Sequence, residues 1–199
     1  MKIGIYGGTF NPPHIGHVKA AEALSSAISP DLFLIMPDNL PPHKSYSGSV
    51  SADDRLKMCE IAFSHIKNVA VSDQEIKRGG KSFTSVTLEE LASSERELYF
   101  LCGTDMFLTL PTWYRAQVIF DLAVICLVRR EFDEDISAKI KYAKEDYEKR
   151  FSARIIEIPC KATVLSSSEV REALSSGGLS TDIIPDSVLS YIREKGIYR

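Results

Sequence analysis

Six short apolar runs, each separated from the next by a longer stretch of helical spacing, constrain most strongly what this chain can fold into. The runs are Lys2 to Tyr6, Leu32 to Met36, Val69 to Val71, Leu98 to Cys102, Leu122 to Val128 and Ile155 to Ile158. Several are nearly continuous in Ile, Leu and Val, as strands covered on both faces are. Val18 to Ile28 and Ser85 to Ala92 read as helices. So does Ala52 to Ile66, with Leu56, Cys59, Ile61, Ala62 and Ile66 on its apolar face. Strands that alternate with helices predict an α/β fold with a mostly parallel sheet. Such sheets bind ligands beyond the carboxyl ends of their strands, so the loops after each run are where chemistry is expected. Glu131 to Arg150 is rich in charge and predicts an exposed helix with a solvated face. Ser167 to Arg199 predicts a small helical cap with helices at Ser168 to Leu174 and Asp186 to Glu194, separated by Gly177 and Gly178.

With 199 residues the chain can bury a sizeable core without disulfide staples. Its formal net charge of -3 argues against wholesale binding to nucleic acid or an anionic membrane, so a phosphate ligand needs a local site. Cys59, Cys102, Cys126 and Cys160 are scattered without the close pairs of a structural zinc site. Free thiols and the lack of a signal-like segment at the start predict a cytoplasmic protein. The longest apolar run, Leu122 to Val128, is too short to span a bilayer.

The segment after the first run reads GGTFNPPHIGH, from Gly7 to His17. Gly7 and Gly8 allow a sharp turn and a close backbone approach to a ligand, and Pro12 and Pro13 stiffen the rest of the loop. A helix starting near Gly16 would present free N–H groups and partial positive charge to a phosphate. His14 and His17 would add imidazole donors. About 150 residues downstream, VLSSSEVREAL can cap another helix through Ser166 or Ser167, with Glu169 supporting its first turn. No Gly-x-x-x-x-Gly-Lys-Ser/Thr string occurs, which argues against a P-loop nucleotidase.

Taken whole, the first segment resembles the signature Gly-x-Phe-(Asp/Asn)-x-x-His-x-Gly-His of the nucleotidyltransferase superfamily, matched by Gly8, Phe10, Asn11, His14, Gly16 and His17. Asn11 stands where many members have Asp. The second resembles that superfamily's Ile-Ser-Ser-Thr-x-Ile-Arg, here Leu165, Ser166, Ser167, Ser168, Glu169, Val170 and Arg171. The middle of the chain is similar to bacterial nicotinate-mononucleotide adenylyltransferases in three places. These are PDNLPPHK ending in His43 and Lys44, KSFTSVTL around Thr84, and GTDMFLTLPTW with Gly103, Asp105, Leu110, Pro111 and Trp113. Val86 replaces an Asp that is frequent in the family.

The resemblance implies a Rossmann-like domain over 1–165 and a helical C-terminal subdomain over 166–199 that closes the triphosphate site. It implies transfer of the adenylyl group of ATP to nicotinate mononucleotide, giving deamido-NAD and pyrophosphate. His14, His17, Lys44 and Arg171 would be the catalytic groups. Gly8, Thr9, Phe10, Gly16, Gly103, Asp105, Ser166, Ser167 and Ser168 would complete the ATP site. Thr84, Asp105, Trp113 and Lys44 would hold the mononucleotide, and Mg²⁺ would be held mainly by the phosphates. Nicotinamide mononucleotide as acceptor, a pantetheine-phosphate adenylyltransferase and a non-catalytic nucleotide sensor are the alternatives. A homo-oligomer is compatible with the sequence, which carries no signature of oligomeric state.

Overall fold

All six apolar runs are strands of one parallel sheet: β1 (Lys2–Gly8), β2 (Leu32–Pro37), β3 (Val69–Val71), β4 (Glu97–Gly103), β5 (Ala123–Arg129) and β6 (Arg154–Pro159). The helices are α1 (Ile15–Ile28), α2 (Ala52–Phe63), α3 (Gln74–Arg78), α4 (Thr84–Leu91), α5 (Thr104–Thr109), α6 (Ala116–Leu122), α7 (Glu134–Phe151), α8 (Ser167–Ser175) and α9 (Asp186–Lys195), with a 3₁₀ turn at Leu110–Thr112. The computed structural model describes residues 1–42, 50–129, 133–160, 165–176 and 182–198. The sequence reading of Gly177 and Gly178 lies outside these.

Strand order is β3-β2-β1-β4-β5-β6, every neighbouring pair parallel. The chain steps outward from β1 to β3, then returns to the other side of β1 and steps outward again. The reversal falls between β1 and β4, and the crevice past their carboxyl ends is where this topology accepts a ligand. Alternate residues of each strand serve the two faces. Phe33, Ile35, Leu101, Cys126 and Val128 pack with residues of α1, α2 and α9. Ile3, Ile5, Leu34, Met36, Phe100 and Ile125 pack with residues of α4 to α7. At Gly4 a Cβ would meet the Phe33 ring of β2 at 2.9 Å, so glycine leaves room for that ring on this face of the sheet. The cap helices share the first of these cores: Val170, Ile184, Val188, Leu189 and Ile192 pack into the cluster that holds Phe10 and Val18. Tyr191 of α9 also donates to Asp54 of α2 at 2.8 Å.

Three details depart from the sequence reading. First, α7 is not simply a solvated face: Ile140, Ala143 and Tyr147 form a buried stripe, and the Tyr147 hydroxyl donates to the Phe107 carbonyl at 3.0 Å. Sparse apolar positions among lysines and glutamates suffice because the rest of the helix faces water. Second, α2 buries Arg55, Met58, Cys59, Ala62 and Phe63, while Leu56 and Ile61 are only half-buried. Its inner stripe is rotated toward Arg55. Third, Leu122 ends a helix instead of starting a strand, because α6 and β5 abut with no loop between them. Among the described residues no helix is long and apolar enough to cross a membrane.

Candidate active site

The loop that leaves β1 enters the crevice directly. A Cβ at Gly8 would press to 3.1 Å from the Phe10 ring, so glycine lets the backbone lie over that ring without displacing it. Phe10 is buried at φ +46°, with its ring edge-on to Tyr6, Phe63 and His17. It thus contributes to the site by supporting an imidazole from below. His14 is the N-cap of α1 and His17 its third residue, and they cap each other. The His17 N–H donates to Nδ1 of His14 at 3.4 Å, and the His14 N–H donates to Nδ1 of His17 at 3.1 Å. The rings stack with centroids 3.6 Å apart. This is the logic of a capping box with imidazoles in place of hydroxyl and carboxylate. It also sets chemistry. A Nδ1 that accepts carries no proton, so each neutral ring holds its proton on Nε2 and donates from there. Gly16 is buried in the first turn between them.

The two signature segments meet. Ser167 donates from Oγ to the Pro12 carbonyl at 3.1 Å, and Arg171 donates from Nη1 to the Asn11 carbonyl at 2.8 Å. Nη2 of Arg171 reaches Ser168 Oγ at 3.1 Å. Ser166 caps α8 with a full capping box to Glu169. Its hydroxyl and N–H hold the Glu169 carboxyl below the ordinary carboxylate range, with a smaller contribution from the nearby His14. The first turn of α8 therefore lies against the loop that leads to the histidine pair, fastened there by Ser167 and Arg171, while the hydroxyls of Ser166 and Ser168 bond within α8. The side-chain oxygen of Asn11 accepts from the Tyr198 hydroxyl. An amide oxygen can accept this bond, though without the extra strength a charged carboxylate would give it, so Asn keeps the contact at this position. Tyr198→Phe should cost about 0.5–1.5 kcal/mol, the net worth of one such bond, read as a lower urea midpoint.

Sequence reasoning missed Asp38 and Arg55. Asp38 follows β2 and is buried. Its carboxylate takes the Thr9 hydroxyl at 2.8 Å and lies 3.4 Å from Nη1 of Arg55. Arg55, 2% exposed, also donates to the carbonyls of Thr9 at 3.0 Å and Asp38 at 2.7 Å. The Asp38 N–H reaches the Gly8 carbonyl at 3.0 Å. This buried pair ties the loop after β1 to the loop after β2, and it is where the predicted contact residue Thr9 is held. The available signal was the stripe Met58, Cys59, Ala62 and Phe63, which extends by one turn onto Arg55.

Across the crevice, Gly103 ends β4 and caps α5, whose first turn carries the exposed Asp105. Trp113 follows the 3₁₀ turn, half-buried, its ring edge-on to Phe100 at 6.3 Å and its Nε1 donating to Thr109 at 3.3 Å. Thr84 opens α4, and this helix start has no side-chain cap; the Val86 N–H goes to the Phe83 carbonyl at 3.0 Å, so the N–H groups of Thr84 and Ser85 are the ones an anion would meet. Lys44 lies outside the described residues. Among the described residues no group of three or more His, Cys, Asp or Glu could hold a metal ion.

A family model described as cytidylyltransferase-like matches residues 5–173. Two proteins named probable nicotinate-nucleotide adenylyltransferase, from Desulfatibacillum aliphaticivorans and Shewanella woodyi, are each 34% identical over the whole of both chains. A Plasmodium falciparum nicotinic acid mononucleotide adenylyltransferase solved with NaAD shares the fold, with a TM-score of 0.75 at 19% identity over 99% of this chain and 97% of that one. With histidine and arginine segments converging at the switch point and relatives aligned end to end, the chain belongs to the cytidylyltransferase-like family, among its nicotinate-nucleotide adenylyltransferases.

Proposed function

We propose that this crevice joins the adenylyl group of ATP to nicotinate mononucleotide by direct in-line attack, with no covalent enzyme intermediate. An oxygen of the mononucleotide phosphate bonds to the α-phosphorus, the bond from that phosphorus to the β-bridging oxygen breaks, and pyrophosphate leaves. A phosphate monoester is already a competent nucleophile, so the protein supplies position and charge. The observation that carries this reading is the docking of α8 on the first loop through Ser167 and Arg171.

His14 and His17 donate from Nε2 to the triphosphate, with His17 nearest the α-phosphate. Arg171 and Lys44 offset the charge of the departing pyrophosphate. The start of α8, with Ser166, Ser167 and Ser168, presents its first N–H groups to the β- and γ-phosphates. Gly8, Thr9, Phe10 and Gly16 shape the loop, and Gly103 and Asp105 hold a ribose. Trp113 offers an indole face to the pyridine ring, and Thr84 with the uncapped start of α4 takes the nicotinate carboxylate. Residues 1–165 carry the nucleotide and 166–199 close over it. The imidazoles and guanidinium at this loop suit phosphate oxygens better than a hard cation, and the Asp38 carboxylate is committed to Thr9 and Arg55. Mg²⁺ would therefore be held by triphosphate oxygens and water, where it offsets phosphate charge. All four cysteines are buried, which suits a reducing cytoplasm.

Pyrophosphate release with ATP and each of nicotinate mononucleotide, nicotinamide mononucleotide and phosphopantetheine tests the reading. Turnover is expected to be fastest with the nicotinate compound. Fastest turnover with phosphopantetheine, or ATP binding without turnover on any of the three, would overturn it.

A further inference from the structure

α3, the helix that follows β3, carries one buried carboxylate that the mechanism above does not use. Glu75 is 7% exposed. The Thr87 hydroxyl of α4 donates to its Oε1 at 2.5 Å. Arg78 donates to that same hydroxyl at 3.0 Å, lies 3.8 Å from the carboxylate, and is itself drawn outward by Glu90 at 2.6 Å. The Ser82 hydroxyl also bonds Glu75 and accepts the Asn39 N–H at 2.9 Å. Two further bonds sew the same turn to the loop after β2: the Ser82 N–H to the Leu40 carbonyl at 2.9 Å, and the Asn39 amide to the Gly80 carbonyl at 3.0 Å.

Glu75 thus grips Ser82, just before Phe83 and Thr84, and Thr87, one turn after Thr84, so the start of α4 is held from both sides. Those two set where α4 begins and where its open N–H groups stand. We propose that Glu75 is a positioning residue for the acceptor half of the site, fixing the start of α4 against the loop after β2 so that the pyridine carboxylate is met at the right place. This rests on the assignment of that helix start to the mononucleotide. Burial is the main influence on the Glu75 carboxyl, with Asp38 adding to it, and together they outweigh Thr87, Ser82 and Arg78 and push its pKa above the ordinary value. Arg55, paired with Asp38, and Glu90, paired with Arg78, complete the charged groups around it. A buried carboxylate is costly to keep, and a site that must be accurate is where such a cost persists.

The test compares Glu75→Gln, Thr87→Val and Thr87→Ser with the unaltered protein in steady-state kinetics and thermal unfolding. Glu75→Gln and Thr87→Val should each raise KM for nicotinate mononucleotide about tenfold while KM for ATP stays within about twofold. Thr87→Ser, which restores the hydroxyl, should recover the original KM. Stability should move the other way for Glu75→Gln. The folded pKa is raised, so the stability gained by a neutral Glu75 is present below the ordinary carboxylate pKa and lost as pH rises through the raised one. The Gln variant should therefore melt at or above the unaltered protein at neutral pH and lose that advantage in acid. An unchanged KM for the mononucleotide, or an equal rise in KM for ATP, would overturn the proposal. Should the unaltered protein prefer nicotinamide mononucleotide, the acceptor assignment falls, and the same comparison made with that acceptor still judges Glu75.

Discussion

His17→Ala is expected to lower turnover by about a hundredfold or more, as losing one preorganised donor to a developing negative charge does. Two functions of the ring are lost together, and they can be separated. As a cap, Nδ1 of His17 accepts the His14 N–H, and losing a cap costs about 1 kcal/mol of stability. As the proposed catalytic donor, Nε2 would face the charge that grows in the transition state, and its loss would fall on kcat. A variant that melts within a few degrees of the unaltered protein yet turns over far more slowly shows the second function directly. If the folded variant keeps near-normal kcat, the imidazole has no part in the chemistry, and the triphosphate must be stabilised by Arg171 and the start of α8.

The largest loss of stability is expected from Arg55→Leu. The guanidinium is buried against the Asp38 carboxylate and two backbone carbonyls. Leucine fills part of the space but takes the guanidinium away from the Asp38 carboxylate and its N–H from the Asp38 carbonyl. Breaking a buried pair by removing one partner costs about 3–5 kcal/mol, a fall in Tm of roughly 6–20 °C for a chain of this size. Chemical denaturation read by circular dichroism measures it. Removing both charges, as in Arg55→Leu with Asp38→Asn, should recover part of the loss, because an uncompensated charge costs more than an absent pair. If Arg55→Leu unfolds at the same denaturant concentration as the unaltered protein, the two loops do not depend on this ion pair.

The strands were legible because a parallel sheet buries both faces, and a doubly buried strand is written as a run of Ile, Leu and Val. The short helices α3, α5 and α6 left no such mark: with five to seven residues each, they are too brief to show a 3.6 period. The site was half legible. Residues that act through adjacent backbone, such as Gly8, His14, His17, Ser166 and Arg171, sit in two contiguous strings and can be seen in one dimension. Residues that act across the fold cannot. Arg55 looks like any surface arginine until the stripe of α2 is known, and Asn11 gains its purpose only when Tyr198 arrives from the other end of the chain. Glu75 was invisible for the same reason, since its partners lie on a later helix and a turn.

The sheet order also sets a timetable for synthesis. β1 emerges first but sits in the middle, and its second neighbour, β4, is about ninety-five residues away, so the central pairing has to wait for half the chain. The groups that dock on the first loop come later still: Ser167, Arg171 and finally Tyr198, which ties down the loop made at the start. A chain that stops short of α8 could form the whole sheet and still lack the contacts that fasten its first loop.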